Sequence, residues 1–108
     1  MASITDFQLV DLRVGKIIEV GEIDGAIKPL YRLKVDLGEL GVREIAAGIK
    51  NYYTPEQLIN NYVIVIANLE PKKIADFVSE GMLLAADDEN GISLLRPDRD
   101  LKPGSKVR

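Results

Sequence analysis

The sequence predicts an all-β domain, a five-stranded Greek-key barrel with short helices at the N-terminus and between strands 3 and 4. Three observations lead there. The segment Tyr31-Arg32-Leu33-Lys34-Val35-Asp36-Leu37 alternates apolar and charged residues without a fault, the period of a half-buried strand. Further short apolar runs follow, separated by glycine, proline and asparagine. Between two of them stands Thr54-Pro55-Glu56-Gln57, a compact helix start.

In chain order, Thr5-Asp6-Phe7-Gln8 reads as a capping box with Thr5 as N-cap, opening a short helix whose apolar positions are Phe7, Leu9 and Val10. A strand follows over 13–20, then a loop from Gly21 to Pro29. The alternating strand comes next and places Arg32, Lys34 and Asp36 on its solvent face. Gly38-Glu39-Leu40-Gly41 turns the chain, and 42–49 returns as the hairpin partner. Thr54 caps the second helix, with Pro55 where a helix has no amide to lose; Asn60-Asn61 ends it before a buried strand over 62–69. A strand over 82–86, an acidic turn Asp87-Asp88-Glu89-Asn90-Gly91 and a return over 92–95 complete the pattern. The tail 102–108 is expected to add a last short strand. This arrangement is that of an OB-type barrel, a fold that commonly binds oligonucleotides on one sheet face and its loops.

With 108 residues the chain is read as one domain, 1–108, with a helical arm at 1–12 and a basic extension at 96–108. The extension carries a net charge of +3 within a chain of net −3, so the rest is acidic and an approaching polyanion must find its cations clustered. There is no cysteine and no histidine, which removes disulfides, thiol nucleophiles, the commonest metal ligand and the usual general base at neutral pH. No enzymatic activity, metal or cofactor is expected. The N-terminus lacks the basic start and apolar core of a signal peptide, and the central apolar run Val63–Ala67 is far below membrane-spanning length, so the expected setting is cytoplasmic, without membrane insertion.

The stretch Asn68-Leu69-Glu70-Pro71-Lys72-Lys73-Ile74, followed by Ser79-Glu80-Gly81-Met82, carries most of the functional signal. An apolar run ends in Asn and Pro, two lysines project from the bend, and a small polar turn leads into the next apolar run. Such an element can hold basic and polar groups at the rim of a sheet. Lys72, Lys73, Arg32 and Lys34 read either as a phosphate-facing track or as solvated strand-end charges. Tyr52-Tyr53 reads as a base-stacking pair or as packing beneath the second helix. The acidic run Asp87–Glu89 lacks the ligand spacing of a calcium loop and reads as a hairpin tip. The apolar N-terminal helix is too short to be stable unless docked, and a second subunit is the expected partner.

Asp11-Leu12-Arg13-Val14-Gly15-Lys16, Val35-Asp36-Leu37-Gly38, Tyr52-Tyr53-Thr54-Pro55-Glu56-Gln57-Leu58, Asn68–Lys73 and Ser79–Met82 together resemble the tRNA-binding OB domain of several aminoacyl-tRNA synthetases and of stand-alone dimeric proteins. Within that superfamily the chain is similar to the CsaA protein-secretion chaperones. Ala26-Ile27-Lys28-Pro29-Leu30-Tyr31-Arg32-Leu33, Lys73-Ile74-Ala75 with Phe77 and Ser79-Glu80, and Leu94-Leu95 with Pro97-Asp98 carry that likeness. Departures run both ways. The histidine that usually precedes the proline in tRNA-binding relatives is missing at Lys28-Pro29, and Ala75-Asp76-Phe77 replaces a basic-glycine pair. Ala46–Ile49 and Gly81–Ala86 resemble the tRNA-binding branch more than CsaA.

The resemblance implies a homodimeric chaperone that holds unfolded or pre-export polypeptide, linked in bacteria to SecA export machinery. Tyr31, Phe77 and Met82 are then the expected apolar wall, with Asn68 and Ser79 bonding backbone and Lys72 and Lys73 meeting acidic side chains. The alternative it implies is a stand-alone tRNA-binding protein that reads RNA shape, with Arg32, Lys34, Lys72 and Lys73 on the backbone and Asn68, Ser79 and Met82 at the contact centre. A third expectation is a subunit that recruits a larger partner through its N-terminal helix.

Overall fold

The structure is a computed structural model that describes all 108 residues. Its elements in chain order are α1 (Ile4–Gln8), β1 (Leu12–Glu22), β2 (Tyr31–Asp36), one 3-10 turn (Gly38–Leu40), β3 (Val42–Ala47), α2 (Pro55–Leu58), β4 (Tyr62–Ile66), β5 (Lys72–Ile74), β6 (Phe77–Ser79), β7 (Met82–Leu83), β8 (Ala85–Asp88) and β9 (Gly91–Leu94). Five strands form one sheet in the order β3-β2-β1-β4-β7, curled into a nearly closed OB-type barrel; β5-β6 and β8-β9 are separate hairpins.

β1 serves both halves of the barrel because it bends. Its first part pairs with β4, Leu12 opposite Ile66, and its second part with β2, Glu22 opposite Tyr31. The register slips between Ile17 and Glu19, leaving Ile18 as the extra residue of a bulge that turns the strand. The edge of β1 that β2 leaves open is taken by the tail. Gly104 N–H donates to Val14 C=O at 2.7 Å, Val14 N–H to Ser105 C=O at 2.9 Å, and Val107 N–H to Leu12 C=O at 2.9 Å. The tail's pairing there is an isolated bridge, Arg13 opposite Lys106, and not the short strand expected over 102–108.

Alternation along β2 buries Tyr31, Leu33 and Val35, while β1 and β4 add Ile17, Val63 and Val65. Leu58 on α2 is 1% exposed and belongs to the same core; truncating such a side chain costs about 2–5 kcal/mol. α2 forms as expected, since the Thr54 hydroxyl accepts from Gln57 N–H and the Gln57 side chain returns to Thr54 N–H. It ends at Ile59, whose ψ of 135° leaves the helical region, and Asn60 follows in a left-handed conformation (φ 66°).

Several expectations need correction. The N-cap of α1 is Ser3, not Thr5: Ser3 Oγ accepts from Asp6 N–H at 3.1 Å and the Asp6 carboxylate accepts from Ser3 N–H at 2.9 Å. β1 runs on to Glu22, where a loop was expected, and β4 stops at Ile66. The strand expected over 82–86 is two strands, because Leu84 is a switch point: its N–H donates to Ile64 C=O of β4, and its own C=O accepts from Leu95 N–H.

Candidate functional site

The chain between β4 and β5 is fastened from several sides. Arg43 Nη1 donates to Ala67 C=O at 2.8 Å. The Asn68 side chain accepts from Asp11 N–H and donates to Leu9 C=O, both at 2.8 Å, so it ties the N-terminal arm to this linker. Pro71 then fixes the backbone as β5 begins.

Hairpin β5-β6 leans on β3 across the gap left between the two edges of the five-stranded sheet. A single backbone bond joins them there, Glu80 N–H to Glu44 C=O at 2.8 Å. Ser79, 6% exposed, adds a side-chain link: its hydroxyl accepts from Ala46 N–H at 2.9 Å and donates to Gly81 C=O at 3.3 Å.

Beside this hairpin lie two adjoining hollows. One, of about 520 Å³, runs between the loop Gly25–Leu30 and Lys72–Ala75. The other, of about 610 Å³, continues past Leu30, Leu69, Glu70, Lys72, Ile74 and Met82. They share Leu30, Lys72 and Ile74 and so form one groove with an apolar floor. Lys28, Lys72 and Lys73 line it, and none of the three is in an ion pair. A small apolar cleft of about 200 Å³, lined by Ala47, Ile49, Leu83, Ile92 and Leu94 among others, adjoins it at Met82.

Only some of the expected site residues face this groove. Met82 is 46% exposed and does. Tyr31 and Phe77, expected as an apolar wall, are buried at 5% and 6%. Tyr31 points inward with Leu33 and Val35, and its hydroxyl donates to Tyr53 C=O at 2.7 Å. Phe77 lies under the Arg32 guanidinium, 5.2 Å from the ring centre. Arg32 and Lys34 are not free cations either. Arg32 holds Glu44 at 2.6 Å across β2-β3, and Lys34 faces Glu19 at 3.3 Å across β1-β2. Tyr53 is structural, its hydroxyl accepting from Leu94 N–H at 3.0 Å. Lys28, Leu30 and Ile74 belong to the groove but were not singled out as site residues; they stood only within the segments that carry the CsaA likeness.

A second charged cluster lies at the chain ends. Asp11 accepts from Arg13 Nε at 2.7 Å and from Lys106 Nζ at 3.2 Å, while Arg13 Nη1 donates to Gly104 C=O at 3.1 Å. The Arg13 hydrogen bond, joined by Lys106, holds the Asp11 carboxyl below its usual pKa. These bonds run between β1 and the tail within one chain, so the cluster works as a latch on the tail.

Residues 12–106 match the family model described as "Putative tRNA binding domain". The chain belongs to the tRNA-binding domain family. Methionine–tRNA ligase of Pyrococcus horikoshii is 58% identical over 103 residues; the match takes 95% of this chain but only 14% of the ligase. Among solved structures, the CsaA chaperone protein of Picrophilus torridus superimposes with a TM-score of 0.94 at 41% identity, each chain covered completely. A MetRS-related protein of Pyrococcus horikoshii gives 0.89 at 30% identity, with 100% of this chain and 98% of that one covered. The chain is thus similar both to a small part of a long ligase and to solved chains of its own size.

Proposed function

We propose that this domain is a non-catalytic binding module for tRNA, and that the groove beside β5-β6 is where the RNA lies. The observation that carries this reading is the set of three unpaired lysines, Lys28, Lys72 and Lys73, around one groove of an otherwise acidic protein. Phosphates meet the lysine ammonium groups, and sugars and bases cover the apolar floor. The family match supports the ligand class. Three phosphate contacts predict that log affinity falls against log salt with a slope of about −2 to −3. Filter binding of labelled total tRNA over a salt series tests this. Salt-independent retention, or no retention at low salt, refutes it.

A second reading, CsaA-like capture of non-native polypeptide, is favoured by one specific feature: the groove is lined by aliphatic side chains with no aromatic ring for base stacking, and continues into an apolar cleft. The end-to-end likeness to a CsaA chaperone supports it. In that reading Met82, Leu30 and Ile74 replace Tyr31 and Phe77 as the wall, and a SecA-like export partner becomes relevant. Suppression of aggregation of an unfolded model protein, with no tRNA retained, would put this reading first.

Either reading includes a homodimer in the cytoplasm. No residue of α1 is buried in the single chain, with Ile4 70% and Phe7 41% exposed and its C-cap Leu9 72% exposed. A one-turn helix with such a surface persists only when docked, and a second copy supplies the dock. Sedimentation at micromolar concentration should show a dimer that deletion of residues 1–8 converts to monomer; an unchanged dimer refutes this arrangement.

A further inference from the structure

Glu70 shares one hollow of the groove with Lys72, where a site made only for phosphate has no use for a carboxylate. It pairs with no cation. Two residues before it the Asn68 side chain is tied by two hydrogen bonds at 2.8 Å, and the Pro71 ring follows it directly. An ionised carboxylate only accepts hydrogen bonds, as phosphate oxygens do, so the group that Glu70 rewards must be a donor. Leu69 and Met82, half exposed on the same hollow, offer apolar surfaces for the faces of a flat ring.

Resting on the tRNA reading above, we propose that Glu70 makes the groove selective for an unstacked guanine. Guanine alone among the four bases presents two parallel donors, N1–H and the N2 amino group, which match the two oxygens of a carboxylate. Adenine and cytosine set a ring nitrogen acceptor beside their single amino group, and uracil flanks its one N–H with two carbonyls. Each of these places an acceptor against the carboxylate. A good bidentate pair between side chain and base corresponds to a discrimination on the order of 10-fold or more.

The test uses four fluorescein-labelled single-stranded RNA heptamers, three uridines on either side of a central G, A, C or U, with total tRNA alongside. Anisotropy at low salt is read for the full chain and for Glu70→Gln, a change at an exposed position whose fold is checked by thermal melting. The expected result is that the G heptamer binds the full chain at least about 10-fold more tightly than the others. Glu70→Gln should bind all four with that preference lost. Equal affinities in the full chain, or a preference that survives Glu70→Gln, overturn the guanine site. Retention of tRNA with no heptamer bound overturns it too, leaving the tRNA reading intact. Absence of any RNA binding, with unfolded polypeptide bound instead, removes both.

Discussion

Ser79→Ala separates a structural hydroxyl from a ligand-binding one. Ser79 is 6% exposed, and its Oγ both accepts from Ala46 N–H at 2.9 Å and donates to Gly81 C=O at 3.3 Å. Removing it leaves the Ala46 amide of β3 without its partner at the join with β6. An unsatisfied buried polar group costs about 1–3 kcal/mol. For 108 residues the unfolding entropy near 60 °C is about 0.23 kcal/mol/K, at about 2.1 cal/mol/K per residue. The expected fall in Tm is therefore about 4–13 °C. Thermal melting by circular dichroism measures it, and the salt slope of tRNA binding, taken well below Tm, should not change. A Tm within about 1 °C of the starting protein, together with a tenfold loss of tRNA affinity, would refute the reasoning and return Ser79 to the contact surface.

Lys72→Ala should reduce the magnitude of the tRNA salt slope by about 1, whereas Arg32→Ala, whose charge is already matched by Glu44, should leave it unchanged; equal effects in filter binding would refute the distinction between free and paired cations. Asp11→Asn should destabilise at neutral pH. Because the Asp11 pKa is lowered below 3.8 in the folded chain, its contribution is present above the unfolded value and lost as pH falls through the folded one, so the gap between the two proteins in urea unfolding should shrink below about pH 4. A gap constant from pH 7 to pH 3 would show the latch to be inert. Gly104→Ala should destabilise by about 2–5 kcal/mol in the same assay, since the position has φ +90° and a Cβ there would lie 2.5 Å from Leu37 C=O; a loss under about 1 kcal/mol would contradict the close approach of tail and barrel.

The barrel was legible because its strands carry one-sided patterns. Leu33 and Val35 set the inward phase of β2, and the same phase puts Tyr31 inside, so its burial was already written in the alternation that located the strand. The α1 cap was misplaced because two boxes overlap: Ser3 with Asp6 and Thr5 with Gln8 are both three residues apart, and sequence alone does not rank them. Hairpin β5-β6 escaped notice because its turn, Ala75-Asp76, contains neither glycine nor asparagine, although Ala75 adopts φ 53°. The site was only partly legible. The lysines Lys72 and Lys73 were visible as a pair, but which cations stay free depends on carboxylates brought in from other strands. Glu44 reaches Arg32 and Glu19 reaches Lys34 only after register is set, and Lys28 meets the lysine pair only when the loop before β2 folds over β5.

The join between β3 and hairpin β5-β6 has a consequence for how such a protein changes over generations. One backbone bond, the Ser79 hydroxyl, the buried Phe77 ring under Arg32, and Arg43, which reaches both Ala67 C=O and Glu80 C=O, hold the hairpin in place. The hydrogen-bonded ladders that make the barrel do not run through it. The exposed residues of 70–78 can therefore drift in charge and shape while those few fastenings and the buried Phe77 persist, like a blade exchanged on a fixed handle. A new preference in the groove then needs no new fold.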